Sequence, residues 1–543
     1  MLEWLRSEVI GSGTEIETPF GQRRITYADY VASGRPLGYI ERTLMGRVMP
    51  SYANTHTEDS FTGARTTHYA HEAAEYIKGC LGADDRYKII FTGTGSTAAI
   101  KRLQEILGLS VPSPLRARLL EVTRPEERPV VFVGPYEHHS NEVSWRETIA
   151  EVVEIPLCEK GLIDLDALHA ALTDKQYANR PKIGSFSAAS NVTGIISDTR
   201  SIARLLHAQG AFACFDFAAS APYVKIDLKP GKPDGYDAVF ISPHKFVGGP
   251  GSPGVLVFNQ AMYTLETPST AGGGTVTYVS SSEHHFVTDI EAREDAGTPA
   301  ILQKMRAALA FWVKEQVGTV LIEQRERDFI KRALERLGKN PKLEILGNLT
   351  AKRLAVVSFL VRSEASNGGG RYLHPRFVVR LLNDLFGIQS RGGCACAGPY
   401  GHRLLHIDDD LSHRYMNTIQ AGFEGIKPGW TRLNFNYFIS NDEFEFLISA
   451  LEFVADHGAK FVPLYDLDWH TGAWKHVSDK PHPSLFQSLE FVDPVFSSND
   501  APPFQAYLEH ARQLAQNLPE PSERPIPPDV SRQVSDELVF FRR

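Results

Sequence analysis

The lysine that closes Ser242-Pro243-His244-Lys245 and the aspartate that opens Asp216-Phe217-Ala218-Ala219 are the residues of this chain with the plainest chemical use. A buried lysine amine condenses with a cofactor aldehyde, and a carboxylate delivered from an earlier strand end keeps a cofactor's pyridine nitrogen protonated. Asp216 follows the apolar Phe215, so an ionised carboxylate there asks for a cationic partner. Together the two residues point to pyridoxal phosphate. A phosphate site accompanies them. Phe91-Thr92-Gly93-Thr94-Gly95-Ser96-Thr97 runs from a strand through glycines and hydroxyls into a helix, turning free amides and the helix dipole toward an anion. The spacing lacks the Gly-Lys-Ser/Thr ending of a nucleotide-binding P-loop. His138, in Glu137-His138-His139-Ser140-Asn141, lies past a strand end where an imidazole can stack on a cofactor ring and pass protons. Asn191 and Asp216 lie at later strand ends, where open α/β sheets collect their ligands. Each residue alone has a plainer reading, as a solvated lysine, a helix cap or a surface histidine. Their company in one chain is what favours the chemistry.

A second group lies downstream, in Ser390-Arg391-Gly392-Gly393-Cys394-Ala395-Cys396-Ala397-Gly398-Pro399. A Cys396 thiolate on a glycine-rich loop ahead of a helix could attack a substrate sulfur. Cys394 and Cys396 could also be small packing residues, and a Cys-x-Cys pair could bind metal, although no second ligand pair at suitable spacing accompanies it. No metal is expected. Arg432, in Thr431-Arg432-Leu433-Asn434-Phe435, could grip a carboxylate with two parallel hydrogen bonds or form a surface ion pair.

The elements that must position these residues follow from the apolar pattern. Strand-like runs at 88–91, 130–133, 183–186, 212–215, 238–241 and 255–258 alternate with helical segments, the signature of a mostly parallel sheet covered on both faces. The fold class is therefore α/β. After Pro299 a long helical stretch, Ala300 to about Leu337, precedes strands near Leu354–Phe359 and Arg432–Phe435, which reads as a smaller α+β domain. The predicted organisation is an N-terminal segment 1–26, a large cofactor-binding domain 27–299, a small C-terminal domain 300–462 and a partly proline-rich extension 463–543. Residues 111–128 look like an insertion. Within the extension, 504–518 suits a helix and 519–529 an extended strap. The chain has 543 residues, 42% hydrophobic and 22% charged, with a net charge of −8. No basic block suggests nucleic acid or an acidic membrane as partner, and no apolar run reaches the length of a membrane span. The five cysteines are too few for a disulfide framework in a chain of this length. A cytoplasmic enzyme acting on a small molecule is expected.

In the order and identity of these pieces the chain, from about Tyr27 to Ser440, resembles the fold-type I pyridoxal phosphate enzymes of the class V aminotransferase family. Within it the chain is most similar to group II cysteine desulfurases and selenocysteine lyases. The resemblance implies Lys245 as the Schiff-base lysine, Asp216 as the pyridinium partner, His138 as the ring-stacking residue and Asn191 beside ring and substrate. Gly95, Ser96, Thr97, Ser242 and His244 resemble the phosphate ligands. Gly297-Thr298 matches a motif that reaches a phosphate across a subunit interface, so a homodimer with shared active sites is implied. Arg432 resembles the arginine that grips the substrate α-carboxylate, with Arg391 and His56 also on the substrate side. Cys396 falls where group II desulfurases place their nucleophile, although Cys394-Ala395 replaces the usual histidine pair. Where desulfurases carry a glutamine three residues after the aspartate, this chain has Ala219. The implied reaction removes sulfur, or selenium, from an L-cysteine-like amino acid through an external aldimine and a Cys396 persulfide. It leaves alanine and passes the sulfur to an acceptor protein. The alternative is a class V aminotransferase, epimerase or C–S lyase acting on another amino acid, with Cys396 not catalytic.

Overall fold

The computed structural model describes residues 1–364, 370–393, 396–479, 484 and 503–543. The chain divides into two compact units, one of residues 31–324 and 351–354, the other of residues 1–30, 325–350 and 355–543.

The first unit is built on a seven-stranded sheet. Its strands are β1 (Tyr87–Thr92), β2 (Val130–Val133), β3 (Glu151–Glu154), β4 (Lys182–Ser187), β5 (Phe212–Asp216), β6 (Ala238–Ile241) and β7 (Gly254–Asn259), in the order β1-β7-β6-β5-β4-β2-β3. From β6 to β3 every pairing is parallel, and β7 runs antiparallel to both β1 and β6. The six predicted strands are all present. The seventh, β3, has the sequence Glu-Val-Val-Glu and sits at the sheet edge, half-buried throughout, so it lacks the continuous apolar signal of a central strand. Helix α1 (Phe61–Cys80) packs on α3 (Ile301–Val317), while α2 (Gly95–Ile106) lays Ala99, Ile100, Leu103 and Ile106 against the sheet. Those positions recur at helical spacing, which is why this segment is a helix with one apolar face.

Two expectations are refined. The helical stretch from Ala300 forms two helices, Ile301–Val317 and Thr319–Leu337, because Gly318 at φ 85° takes a backbone angle that residues with a side chain avoid. The insertion at 111–128 carries a helix at Ser113–Val122 that buries none of its residues.

In the second unit β8 (Leu343–Ile345), β9 (Val356–Glu364), β10 (Arg391–Gly393) and β11 (Trp430–Asn434) pair antiparallel in the order β8-β9-β11-β10. Helix α4 (Pro375–Phe386) lies in the same core, Phe377, Leu381, Leu382 and Leu385 all buried. The N-terminal residues Thr26 and Tyr27 pair in parallel with Ile388 and Gln389, and Asn434 donates its backbone N–H to Ala28 O. Residues 26–30 are thereby threaded beside β11. Helix α5 (Phe504–Asn517) also joins this core, its buried Tyr507, Leu508, Ala511 and Ala515 at helical spacing. No helix among the described residues is long and apolar enough to cross a membrane.

Candidate active site

In the first unit most of the predicted residues gather at the carboxyl ends of β4 to β6 and at the turn after β1. Ser242 and the Pro243–Lys245 turn follow β6 directly. This turn is clamped by glycines. A Cβ on Gly34 would come within 1.9 Å of Phe246 O, one on Gly249 within 1.8 Å of Pro243 O, and one on Gly254 within 2.0 Å of Gly95 O. Backbone alone fits at these three places, so the first two approaches hold the Lys245 turn against its neighbours and the third holds the start of β7 against the start of α2.

Gly95, Ser96, Ser242 and His244 come together. Ser96 N donates to Ser242 Oγ at 2.8 Å. A Cβ on Gly95, which has φ 57°, would sit 2.8 Å from Ser242 Oγ and 3.3 Å from His244 Nε2. The absent side chain leaves a small cradle at the start of α2, rimmed by a hydroxyl and an imidazole. Burial, and then the nearby Lys245 charge, push His244 down to about 4, so its ring is neutral near pH 7. Thr97 Oγ1 lies 2.7 Å from Ser140 Oγ, which in turn lies 3.1 Å from His138 Nδ1. The Ser140 backbone N–H also donates to His138 Nδ1 at 3.1 Å, so Nδ1 accepts and Nε2 carries the proton in the neutral ring.

Asp216 ends β5, is 4% exposed, and accepts a hydrogen bond from Ala218 N at 2.8 Å. Burial raises its pKa, opposed by the Ala218 N–H, the Lys245 charge and the Ser96 hydroxyl. A buried carboxylate in that condition is stabilised by a cation. Asn191 is buried in the turn after β4, where Ser190 Oγ accepts from Val192 N and Thr193 N.

Sequence reasoning passed over Glu137, the residue before His138. It is fully buried, and its carboxylate accepts from Gly134 N, Ser187 N, Ser187 Oγ and Asn141 Nδ2 at 2.6–3.1 Å. Asn141 Oδ1 accepts from Trp145 Nε1 and Ser185 Oγ, which fixes the amide's orientation. Glu137 thus ties the ends of β2 and β4 to the His138 turn, and burial pushes it up to about 7. A charged residue immediately before a strand-end histidine was the available signal.

Thr298 and His56 belong to a different group. Asn54 Nδ2 donates to the exposed Thr298 Oγ1 at 3.3 Å, and the His56 ring, at φ 66°, faces Gly274 so closely that a Cβ there would be 3.0 Å from Nε2. Gly297 N donates to Gly273 O at 2.8 Å.

The second unit gathers the other candidates. Arg432 on β11 and Arg391 on β10 are cross-strand partners. Asp29 lies between them, its Oδ1 accepting from Arg432 Nη2 at 3.1 Å and its Oδ2 from Arg391 Nε at 3.0 Å. Arg432 is 3% exposed, whereas Arg391 is 54% exposed at its side chain. Burial lowers the Arg432 pKa, the Asp29 carboxylate opposes this, and Cys396 acts on Arg432 in the same direction as Asp29. Cys396 is exposed with φ 55°, a left-handed conformation in a non-glycine residue. Cys394 lies outside the described residues. The threading of residues 26–30 beside β11 brings Asp29 level with Arg432; Asp29–Gly34 resembles the family's substrate-side entry segment, but the pairing of Asp29 with the two arginines was not legible in the local sequence.

The aminotransferase class-V family model matches residues 27–423 of this chain. A probable cysteine desulfurase of Halalkalibacterium halodurans is 29% identical over 380 residues, 69% of this chain and 84% of the relative. One of Staphylococcus epidermidis is 27% identical over 388 residues, 71% of this chain and 86% of the relative. Among solved structures, the apo cysteine desulfurase of Thermococcus onnurineus superposes with a TM-score of 0.62 at 22% identity, covering 80% of this chain and 95% of that one. The cysteine desulfurase CsdA of Escherichia coli gives a TM-score of 0.59 at 23% identity, over 78% and 93% of the two chains. These two share the fold described above. With the family match spanning most of its length, the chain belongs to the class V aminotransferases, a family of pyridoxal phosphate-dependent enzymes.

Proposed function

We propose that the protein is a pyridoxal phosphate-dependent, cysteine desulfurase-like enzyme that removes sulfur or selenium from an L-cysteine-like amino acid and releases alanine. The observation that carries this reading is the presence, in one unit, of an exposed Cys396 three residues past the end of β10 and of the buried, carboxylate-braced Arg432 on the neighbouring strand β11. A nucleophilic sulfur beside a carboxylate anchor suits an amino acid whose own sulfur is the target.

The residues present fit the cofactor. A phosphate would lie over the Gly95 cradle at the start of α2, with Ser96, Thr97, Ser242 and the neutral His244 as its hydrogen-bonding partners. Asp216 would hold a proton on the pyridine nitrogen, a buried cation that answers its own burial. His138, with Nε2 as its donor, would cover the ring, and Asn191 would lie beside it. When bound, pyridoxal phosphate supplies an electron sink for the pair left on Cα.

Lys245 Nζ takes the Cα proton and later returns a proton to the substrate, which the clamped turn keeps in register. Arg432 holds the α-carboxylate and so fixes which Cα bond faces the sink. His138 moves protons at Nε2. Cys396 Sγ, as the thiolate, attacks the substrate sulfur. One S–S bond forms, the substrate C–S bond breaks with its electron pair going to carbon, and carbon takes up a proton to become alanine. The sulfur remains on Cys396 as a persulfide for an acceptor protein to collect. A homodimer, with Thr298 of one copy serving the phosphate site of the other, belongs to the same reading, as does a large cofactor domain over 27–299.

The test is a stopped reaction of the purified, cofactor-loaded protein with L-cysteine, alanine and enzyme-bound persulfide being quantified together beside a Cys396→Ala variant. Equal amounts of both products, lost in the variant while its cofactor absorbance persists, are expected. A yellow enzyme that makes neither, or a variant that still transfers sulfur, would overturn the assignment.

A further inference from the structure

Two arginines face each other across adjacent antiparallel strands in the second unit, Arg391 on β10 and Arg432 on β11. Like charges in directly opposed positions repel, and here one of the pair is almost wholly buried. Asp29 resolves the conflict by giving one carboxylate oxygen to each guanidinium, at 3.1 and 3.0 Å. The Asp29 side chain is itself only 11% exposed. Its position is enforced by the fold, through the pairing of Thr26 and Tyr27 with Ile388 and Gln389 on one side and the Asn434–Tyr30 hydrogen bond on the other, Tyr30 N donating to Asn434 Oδ1 at 2.8 Å. The triad of two cations and one anion carries a net charge of one positive by itself; the Cys396 thiolate of the proposed reaction is a separate charge that none of the substitutions below changes.

We propose that Asp29 is a specificity-determining residue, one that makes the Arg432 site accept amino acids with a single carboxylate and reject those with two. This deepens the function proposed above and rests on its assignment of Arg432 as the carboxylate anchor. An incoming α-carboxylate brings the triad to neutrality. A second carboxylate on the substrate side chain brings it to a net negative charge in a site where charge is poorly screened, and binding suffers. Without Asp29 the same pair of guanidiniums carries two positive charges and matches a dicarboxylate.

Binding to the pyridoxal phosphate-loaded protein, followed by the change in cofactor absorbance, is titrated with L-alanine and with L-aspartate. The wild-type protein is expected to prefer alanine. In Asp29→Asn the ratio of the two dissociation constants shifts toward aspartate by about tenfold or more, a size set by one unit charge at a few ångströms in a partly buried site. Asp29→Glu restores the wild-type ratio. Arg391→Gln tests the same charge count on a half-exposed side chain, so it does not depend on the Asp29 variant folding. It leaves the triad neutral, weakens both ligands and weakens aspartate more. An unchanged ratio in Asp29→Asn and Arg391→Gln overturns the inference. Arg432→Lys separates this from failure of the parent reading. If it leaves binding of both ligands intact, Arg432 is not the anchor and the reading itself falls. If it weakens both while the other two variants keep the wild-type ratio, only the role given to Asp29 is lost.

Discussion

Gly95 shows how much of a site can depend on an atom that is not there. Its φ of 57° costs a residue with a Cβ about 1–2 kcal/mol, and that Cβ would lie 2.8 Å from Ser242 Oγ, inside the cradle. Gly95→Ala is therefore expected to weaken retention of pyridoxal phosphate by at least about tenfold, the equivalent of 1.4 kcal/mol, with little effect on the melting of the second unit. Equilibrium dialysis of the cofactor checks it, and wild-type retention would mean that the cradle does not hold the phosphate. Single residues of this kind were partly legible. Lys245, Asp216 and the glycine–hydroxyl run stand out because their chemistry is unusual for their position. Glu137 did not, because a carboxylate is commonplace on a surface and only the fold shows four donors converging on this one. Asp29 opens a segment that resembles the family's substrate-side entry, but its two arginine partners lie far along the chain and only the fold brings them to it.

At the scale of elements, the six strands with continuous apolar sequence could be read directly, whereas β3, at the sheet edge with only partial burial, could not. The long helix after Pro299 was read as one because its apolar pattern runs through Gly318, and only a backbone angle of 85° interrupts it. Helix α4 carries a pH dependence that no pattern would reveal. His374 caps it, its Nδ1 accepting from Arg376 N at 3.2 Å while its Nε2 donates to Gly425 O at 3.2 Å. Both nitrogens are thus committed to the neutral ring, and burial pushes the pKa down to about 3. A group depressed in the folded state contributes stability that is fully present above its unfolded value of about 6.5 and is lost as pH falls from there toward 3, at about 1.4 kcal/mol per pH unit at most. His374→Asn keeps a capping acceptor and does not titrate. Its stability is expected to fall less steeply between pH 6.5 and 4 than that of the wild type. Fluorescence of the neighbouring Trp474, whose ring centroid is 5.7 Å away, reports the transition. Equal acid sensitivity in the two proteins would assign the loss to other groups.

At the scale of the whole molecule, the C-terminal residues are part of the second unit's core. The Phe504 ring stacks on Phe446 with centroids 4.2 Å apart, Arg542 N donates to Tyr372 O at 2.9 Å, and Phe541 is fully buried with its ring edge-on to His374 at 4.7 Å. Val530, Val534 and Leu538 are buried in the same cluster as α4 and β9. From sequence this stretch read as an addition, since its prolines and its distance from the family motifs hide the apolar positions that α4 and β9 need covered. A segment contributing this much to one core is not separable from it. Phe541→Ala removes a buried ring close to the end of the chain and is expected to cost about 3–5 kcal/mol, a cavity cost like that in any core. Removal of residues 503–543 strips the rings of Phe504 and Phe541 from Phe446, His374 and Trp474 and takes the buried face of α5 out of the core, and the second unit should then fail to fold cooperatively. Thermal melting and limited proteolysis of the two variants check this, with early cleavage expected in the second unit. A truncated protein that melts as the wild type does would mean that β9 and α4 are stable without the helix and strap that cover them.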